Sequence, residues 1–184
     1  MQEISLNILD IVQNSIRAGA KLVEITIVEN IKDDIFSFTV KDDGCGMDDE
    51  LLKKVTDPFV TTRSTRRVGL GIPLLIMGAE ATGGNVTIKS KVGVGTEICA
   101  TYSHSHIDRQ PLGDIASAIM SVISMNPDID FIYKHTYEQK EFTLATSELR
   151  SVLGEVKLSE PSVALWVKDF VNENLTEIYG GASL

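Results

Sequence analysis

Cysteine is scarce in this 184-residue chain: Cys45 and Cys99 make neither a disulfide framework nor a metal-ligand spacing. Positive charge is scarce too. Seventeen Lys and Arg stand against 26 Asp and Glu, a net charge of −9 at neutral pH, which argues against broad electrostatic attachment to nucleic acid or anionic lipid. A local basic cluster for a small phosphate stays compatible with that balance. No apolar run approaches the roughly 20 residues that span a bilayer. The opening Met-Gln-Glu-Ile-Ser-Leu-Asn lacks the basic start and apolar core of a secretion signal. These absences lead us to expect a cytoplasmic protein without a membrane segment. What remains is 43% hydrophobic and 23% charged, a globular composition that excludes a mostly disordered chain.

Apolar residues at 8, 9, 11, 12 and 16 recur with helical spacing and predict a helix over 5–18, with Ser5 as N-cap and Gly19 as its stop. Residues 21–30 and 33–43 then alternate, Val23/Ile25/Ile27 and Phe36/Phe38/Val40, as two strands joined by a polar turn at Lys32-Asp33-Asp34. A glycine-rich loop, a short helix over 48–55, an arginine-rich stretch and a helix ending at Gly83-Gly84 follow. Two more strands flank Gly93-Val94-Gly95. Residues 1–103 thus alternate as α-β-β-loop-α-loop-α-β-β, a mixed sheet with helices on one face. Residues 104–112 break the pattern. Beyond them we expect a helix over 113–125, strands in 130–137 and 141–146, a short helix over 147–153, and an amphipathic helix over 161–175 with Trp166 as a core anchor. The expected fold class is α/β, an α+β two-layer sandwich, with a first domain over 1–103 and a small α+β region over 104–184.

Four features of the first part carry chemistry. Asn7, Asp10 and Asn14 fall at i, i+3 and i+7 on one stripe of the opening helix; two amides and a carboxylate suit a hydrated hard cation, or simply make a solvent face. Asp42-Asp43-Gly44-Cys45-Gly46-Met47 follows a strand, where a carboxylate can accept from an exocyclic amine and glycines let the backbone approach a flat ligand; a plain Asp-Gly turn is the alternative. Gly69-Leu70-Gly71 opens a helix after Arg63, Arg66 and Arg67, an arrangement suited to an anion. Gly93-Val94-Gly95-Thr96 joins two strands and is satisfied by a tight hairpin alone. Neither a P-loop nor a GxGxxG fingerprint is present.

Taken in order, Asp10 to Asn14, Asp43 with its glycines, Asp57-Pro58-Phe59-Val60-Thr61-Thr62, Gly69-x-Gly71 and Gly93-x-Gly95-Thr96 resemble the N, first glycine, F, second glycine and third glycine boxes of the GHKL superfamily. That superfamily holds histidine kinases, anti-sigma-factor kinases, gyrase B, heat-shock chaperone ATPases and MutL. The resemblance covers about 100 residues and looks most like a histidine-kinase-like ATPase domain, while ILDIVQNSIRAGA is closer to the MutL helix. It implies the Bergerat fold, with ATP and Mg²⁺ as cofactors. By position, Asn14 would hold Mg²⁺, Asp43 would take the adenine amine, and Gly44, Gly46 and Met47 would flank the ring. Thr61, Thr62, Arg63, Gly69, Leu70 and Gly71 would form the phosphate side and a lid over 57–68, and Thr96 would support the adenine end. Asp10 stands where ATPases of the superfamily carry a Glu general base; one methylene shorter, it permits hydrolysis and disfavours fast turnover. Arg17 stands where MutL relatives carry an acid.

Farther on, residues 124–154 faintly resemble the MutL transducer region. Ser105-His106-Ile107-Asp108-Arg109-Gln110-Pro111-Leu112 resembles the phosphoacceptor box of histidine kinases, on the wrong side of the ATP domain and with the acid displaced by one; we read it as a linker. His104 and His135 read as packing or surface residues. The expected function is a Mg-ATP-binding protein that transfers or slowly hydrolyses the γ-phosphate in signalling or regulation. The alternatives are a nucleotide-gated interaction module with little turnover, or a MutL-like ATPase. The expected partners are ATP or ADP and an unidentified protein, with a homodimer permitted.

Overall fold

Strict alternation along β1 (Leu22–Asn30) and β2 (Ile35–Asp42) buries Val23, Ile25, Ile27, Phe36, Phe38 and Val40 on one face of a sheet. The computed structural model describes residues 3–56 and 71–181. After α1 (Ile4–Arg17) and these two strands come α2 (Asp49–Thr56), α3 (Gly71–Glu80), β3 (Asn85–Lys91) and β4 (Gly95–Ser103). The chain continues through α4 (Ile115–Met125), β5 (Asp130–Tyr137), β6 (Lys140–Ala145), α5 (Thr146–Leu153) and α6 (Pro161–Ile178). The described strands form one six-stranded sheet in the order β3-β4-β2-β1-β5-β6. The sheet is mixed, because β5 lies parallel to β1 while every other pair is antiparallel. Strands from residues 104–184 therefore extend the sheet begun by residues 1–103, through the crossover α4.

Helices α1, α3, α4 and α6 join the inward faces of the strands in one apolar core. The opposite face is polar and carries cross-strand ion pairs, Lys41 with Glu24, Lys89 with Glu97 and Lys134 with Glu141. This is the two-layer α/β arrangement expected. Two local expectations differ. Ser5 is buried inside α1 rather than capping it. The cap residue is Glu3, which gives no side-chain cap; the carbonyls of Pro111 and Leu112 instead accept the Ile4 and Ser5 amides, both at 2.9 Å. Trp166 is 47% exposed and stacks on Phe170 at 5.0 Å, while Val163, Val167, Val171 and Leu175 carry the buried stripe of α6.

The residues expected to be inert packing include a buried polar hub. Glu29 lies on the core face of β1. Its Oε1 accepts from His135 Nε2 at 3.0 Å and from the Tyr179 hydroxyl, and its Oε2 is paired with His104 Nε2 at 3.1 Å. Tyr133 and His135 Nδ1 are 2.7 Å apart behind it. Burial by itself would raise the Glu29 carboxyl, but the hydrogen bonds from His135, Tyr179 and His104 outweigh it and hold the group below its ordinary value near 4.5. Desolvation and the Glu29 charge push the Tyr179 hydroxyl far up.

A carboxyl depressed on folding stabilises fully above its unfolded value, and that contribution is lost as pH falls through the folded value. Glu29→Gln is expected to lower the unfolding free energy by about 2–3 kcal/mol at pH 7, the scale of hydrogen bonds to a buried charge. The deficit should shrink below about pH 4. Urea titrations at pH 7 and pH 3.5 test this, and an equal deficit at both would rule out the charged hub.

Candidate functional site

Parity in β2 decides what the adjacent aspartates do. Val40 faces the helices, Lys41 faces away and Asp42 faces the helices again. Asp42 Oδ2 accepts the Ser15 hydroxyl of α1 at 2.6 Å, and Oδ1 accepts Gly44 N at 2.9 Å and Thr96 N at 3.3 Å. Asp43 stands off the end of the strand and is exposed. Its Oδ1 accepts the backbone amides of Leu22 and Lys21 at 2.9 and 2.7 Å, which hold its carboxyl below the usual range. The structure thus gives Asp43 to the start of β1, and brings Asp42 together with Ser15 and Thr96. The spacing could have said so: Asp-x-Gly-x-Gly, with glycines at 44 and 46, begins at Asp42.

Around Asp42 the glycine loop, the β3–β4 hairpin and the end of α1 are laced together. Cys45 N donates to Ala18 O at 2.9 Å and Gly93 N donates to Cys45 O at 2.8 Å. Met47 N donates to Ser90 Oγ at 2.8 Å, and Ser90 Oγ lies 2.9 Å from Thr96 Oγ1. Gly46 and Gly95 have φ of 67° and 129°, and a Cβ on them would meet Lys91 O at 2.0 Å and Asp42 O at 1.9 Å. Only glycine permits this closure.

Toward the other end of α1, Asn7, Asp10 and Asn14 line a narrow cleft with Ile11, Gly71, Ile72 and Leu75. Asp10 and Asn14 are exposed and Asn7 is half-buried; the stripe looks onto the start of α3, where a Cβ on Gly71 would lie 3.8 Å from Asp10 Oδ2. The cavity itself is about 10 Å³, room for about one water. Asp10 and Asn14 contribute a carboxylate and an amide oxygen to its lining, a set that fits Mg²⁺, which commonly takes few protein ligands and completes its shell from waters and phosphates. Arg17 Nη1 reaches Asn14 Oδ1 at 3.4 Å. The expectations on Thr61, Thr62, Arg63, Gly69, Leu70 and the lid over 57–68 lie outside the described residues. His106 follows β4 at the end away from Thr96; its Nδ1 accepts Asp108 N at 3.1 Å.

Residues 3–105 match the family described as histidine kinase-, DNA gyrase B-, and HSP90-like ATPase. A sensor-type protein of Shewanella frigidimarina is 30% identical over 109 residues, 58% of this chain and 17% of that protein. Sensor protein SrrB of Staphylococcus aureus is 33% identical over 101 residues, 52% of this chain and 17% of that protein. The chain thus spans about a sixth of these relatives. Among solved structures, the N-terminal domain of a DNA repair protein superposes with a TM-score of 0.56 at 15% identity, covering 84% of this chain and 58% of that one, a likeness of fold alone. Among the described residues no helix is long and apolar enough to cross a membrane.

The two aspartates should separate by stability alone. Asp43→Ala removes an acceptor from two backbone amides and is expected to cost about 1 kcal/mol, the net worth of such bonds at an exposed position. Asp43→Asn keeps a carbonyl oxygen there and should cost less than Asp43→Ala. Urea midpoints measure both, and an Asp43→Ala protein as stable as wild type would remove the anchoring role.

Proposed function

This chain belongs to the histidine kinase-, DNA gyrase B- and HSP90-like ATPase family, and from that premise we propose that it binds an adenine nucleotide with Mg²⁺ along α1, the base at Asp42 and the phosphates toward Asp10. The observation that carries the reading is the convergence of Ser15, Gly44 and Thr96 on the Asp42 carboxylate. A carboxylate oriented from three sides accepts an exocyclic amine and discriminates against a base that presents a carbonyl there. Asp42 takes this role in place of Asp43, whose acceptor is engaged by Lys21 and Leu22. Thr96 and Ser90 support it, and Gly44, Gly46 and Met47 form the adjoining wall.

At the phosphate end Asn14 would supply an amide oxygen to Mg²⁺, with Asp10 beside it. Mg²⁺ held there would neutralise charge on the phosphate oxygens. Asp10 accepts a proton from an attacking water, over a reach one methylene shorter than Glu would give, so hydrolysis is slow. By sequence position, Thr61, Thr62, Arg63, Gly69, Leu70 and Gly71 complete the phosphate side. His106 belongs to the segment that caps α1 and is not a phosphoacceptor in this reading. The relatives named sensor proteins support a place in signalling. The hold of that segment on α1 also favours a second reading, in which bound nucleotide gates a protein interaction with little turnover.

Wild type with Mg-ADP at a hundredfold excess over Kd should gain about 2.7 kcal/mol of stability by mass action. Asp42→Asn should lose most of that gain, and Asp43→Ala should keep it. With γ-labelled ATP we expect slow phosphate release that depends on Asp10 and Asn14, and no acid-labile, base-stable label on the protein. A wild type that melts unchanged in millimolar Mg-ATP would falsify the site. Protein-bound label lost only in His106→Gln would make the chain a self-phosphorylating kinase instead.

A further inference from the structure

Asn7 is the member of the α1 stripe that the nucleotide reading leaves without a role. It lines the cleft beside Asp10 and Asn14, about 10 Å farther along the helix axis than Asn14, on the side away from Ala18 and the glycine loop. Its Nδ2 donates to Gln110 Oε1 at 2.9 Å. Gln110 lies beyond the residues that match the family, 3–105, and the backbone on either side of it is fixed. Arg109 stands over the Phe36 ring at 5.0 Å and its Nε donates to His104 O at 2.7 Å. Pro111 and Leu112 carry the carbonyls that cap α1. The Gln110 side chain also runs beside α3, where a Cβ on Gly78 would lie 4.0 Å from its Nε2.

An asparagine on a helix surface samples several rotamers, and a partner on a fixed strap removes that freedom before a ligand arrives. The amide nitrogen carries two hydrogens. One goes to Gln110, leaving the second as a neutral donor at the end of the cleft farthest from Asp42. The group of a nucleotide that reaches farthest from its base is the terminal phosphate, an acceptor of such donors.

We propose that Gln110 is a positioning residue that holds the Asn7 amide toward the terminal phosphate, so that the pair makes this site prefer a nucleoside triphosphate over a diphosphate. The proposal rests on the nucleotide reading above. It puts the segment between β4 and α4 in register with the state of the nucleotide, because the residues that cap α1 are the neighbours of the one that positions the Asn7 amide.

The test compares binding of Mg-ADP and of a Mg-bound, non-hydrolysable ATP analogue by calorimetry, in wild type, Asn7→Ala, Gln110→Met and the double variant. Wild type should bind the analogue more tightly. Each single variant should lower that preference roughly ten- to a hundredfold, the weight of one hydrogen bond to an anion, with Mg-ADP affinity unchanged. The double variant should lose no more than either single one, since both act through one contact. Loss of ADP and analogue affinity together in Gln110→Met would make its role merely structural and overturn the proposal. An unchanged preference in Gln110→Met, losses that add, or a wild type without preference would overturn it as well, with the nucleotide site intact. Wild type that binds neither ligand would overturn the nucleotide reading itself and this one with it.

Discussion

A helix that carries a binding stripe must be closed at both ends, because its first amides and last carbonyls have no partners within it. In α1 neither end is closed by its own side chains. The Ile4 and Ser5 amides are taken by Pro111 and Leu112, from a segment more than a hundred residues later in the chain, and the Ala18 carbonyl is taken by Cys45 from the glycine loop. Ser15 adds a third tie, to Asp42. The position of Asp10 and Asn14 relative to Asp42 is therefore set by the glycine loop at one end and by the capping segment at the other. Neither the helix nor the placing of its polar stripe is independent of residues 104–184.

The same dependence appears at the far edge of the core. Glu29 of β1 collects donors from β5, from the residue after β4 and from the end of α6. A buried carboxylate is costly unless its lone pairs are filled, so the hub stabilises only the arrangement in which all three elements are docked. It specifies how α6 and the start of the capping segment meet the sheet, where apolar packing alone would tolerate small slips. His104 joins the two systems: its ring pairs with Glu29, and its carbonyl accepts from Arg109, the neighbour of Gln110.

Most of this fold was legible in the sequence, because its elements are strongly periodic. Alternation in 22–30 and 35–42 and helical spacing in 4–17 gave the elements to within a residue or two. What the pattern could not carry is who pairs with whom. No local signal says that β5 lies parallel to β1, or that a helix near residue 4 is capped from residue 111, since both are contacts between distant parts of the chain. Trp166 was misjudged for a related reason: its apolar ring suits a core, but the helical stripe through Val163, Val167 and Val171 excludes it. Asp42 and Asp43 raise a different point: the glycine spacing and the parity that puts Asp42 on the helix-covered face with Val40 both single out Asp42, and adjacent identical residues conceal that signal.

The charge of the site follows from the same geometry. The described residues that line the cleft beside Asp10 include no lysine or arginine, and the chain as a whole carries a net charge of −9. A triphosphate brought there would meet Asp10 across a narrow gap, where like charges repel strongly once water is displaced. Hydrogen-bond donors such as Asn7 can orient the phosphates, but they cannot offset that repulsion, because a neutral amide contributes a dipole and no net charge. In the proposed reading the balance would come from a bound cation, from Arg17 beside Asn14, or, by sequence position, from Arg63, Arg66 and Arg67. An acidic protein that needs added positive charge to accept a polyanion would, in that reading, bind it conditionally, and a conditional contact at the end of a helix capped by Pro111 and Leu112 would give the chain a nucleotide-dependent state.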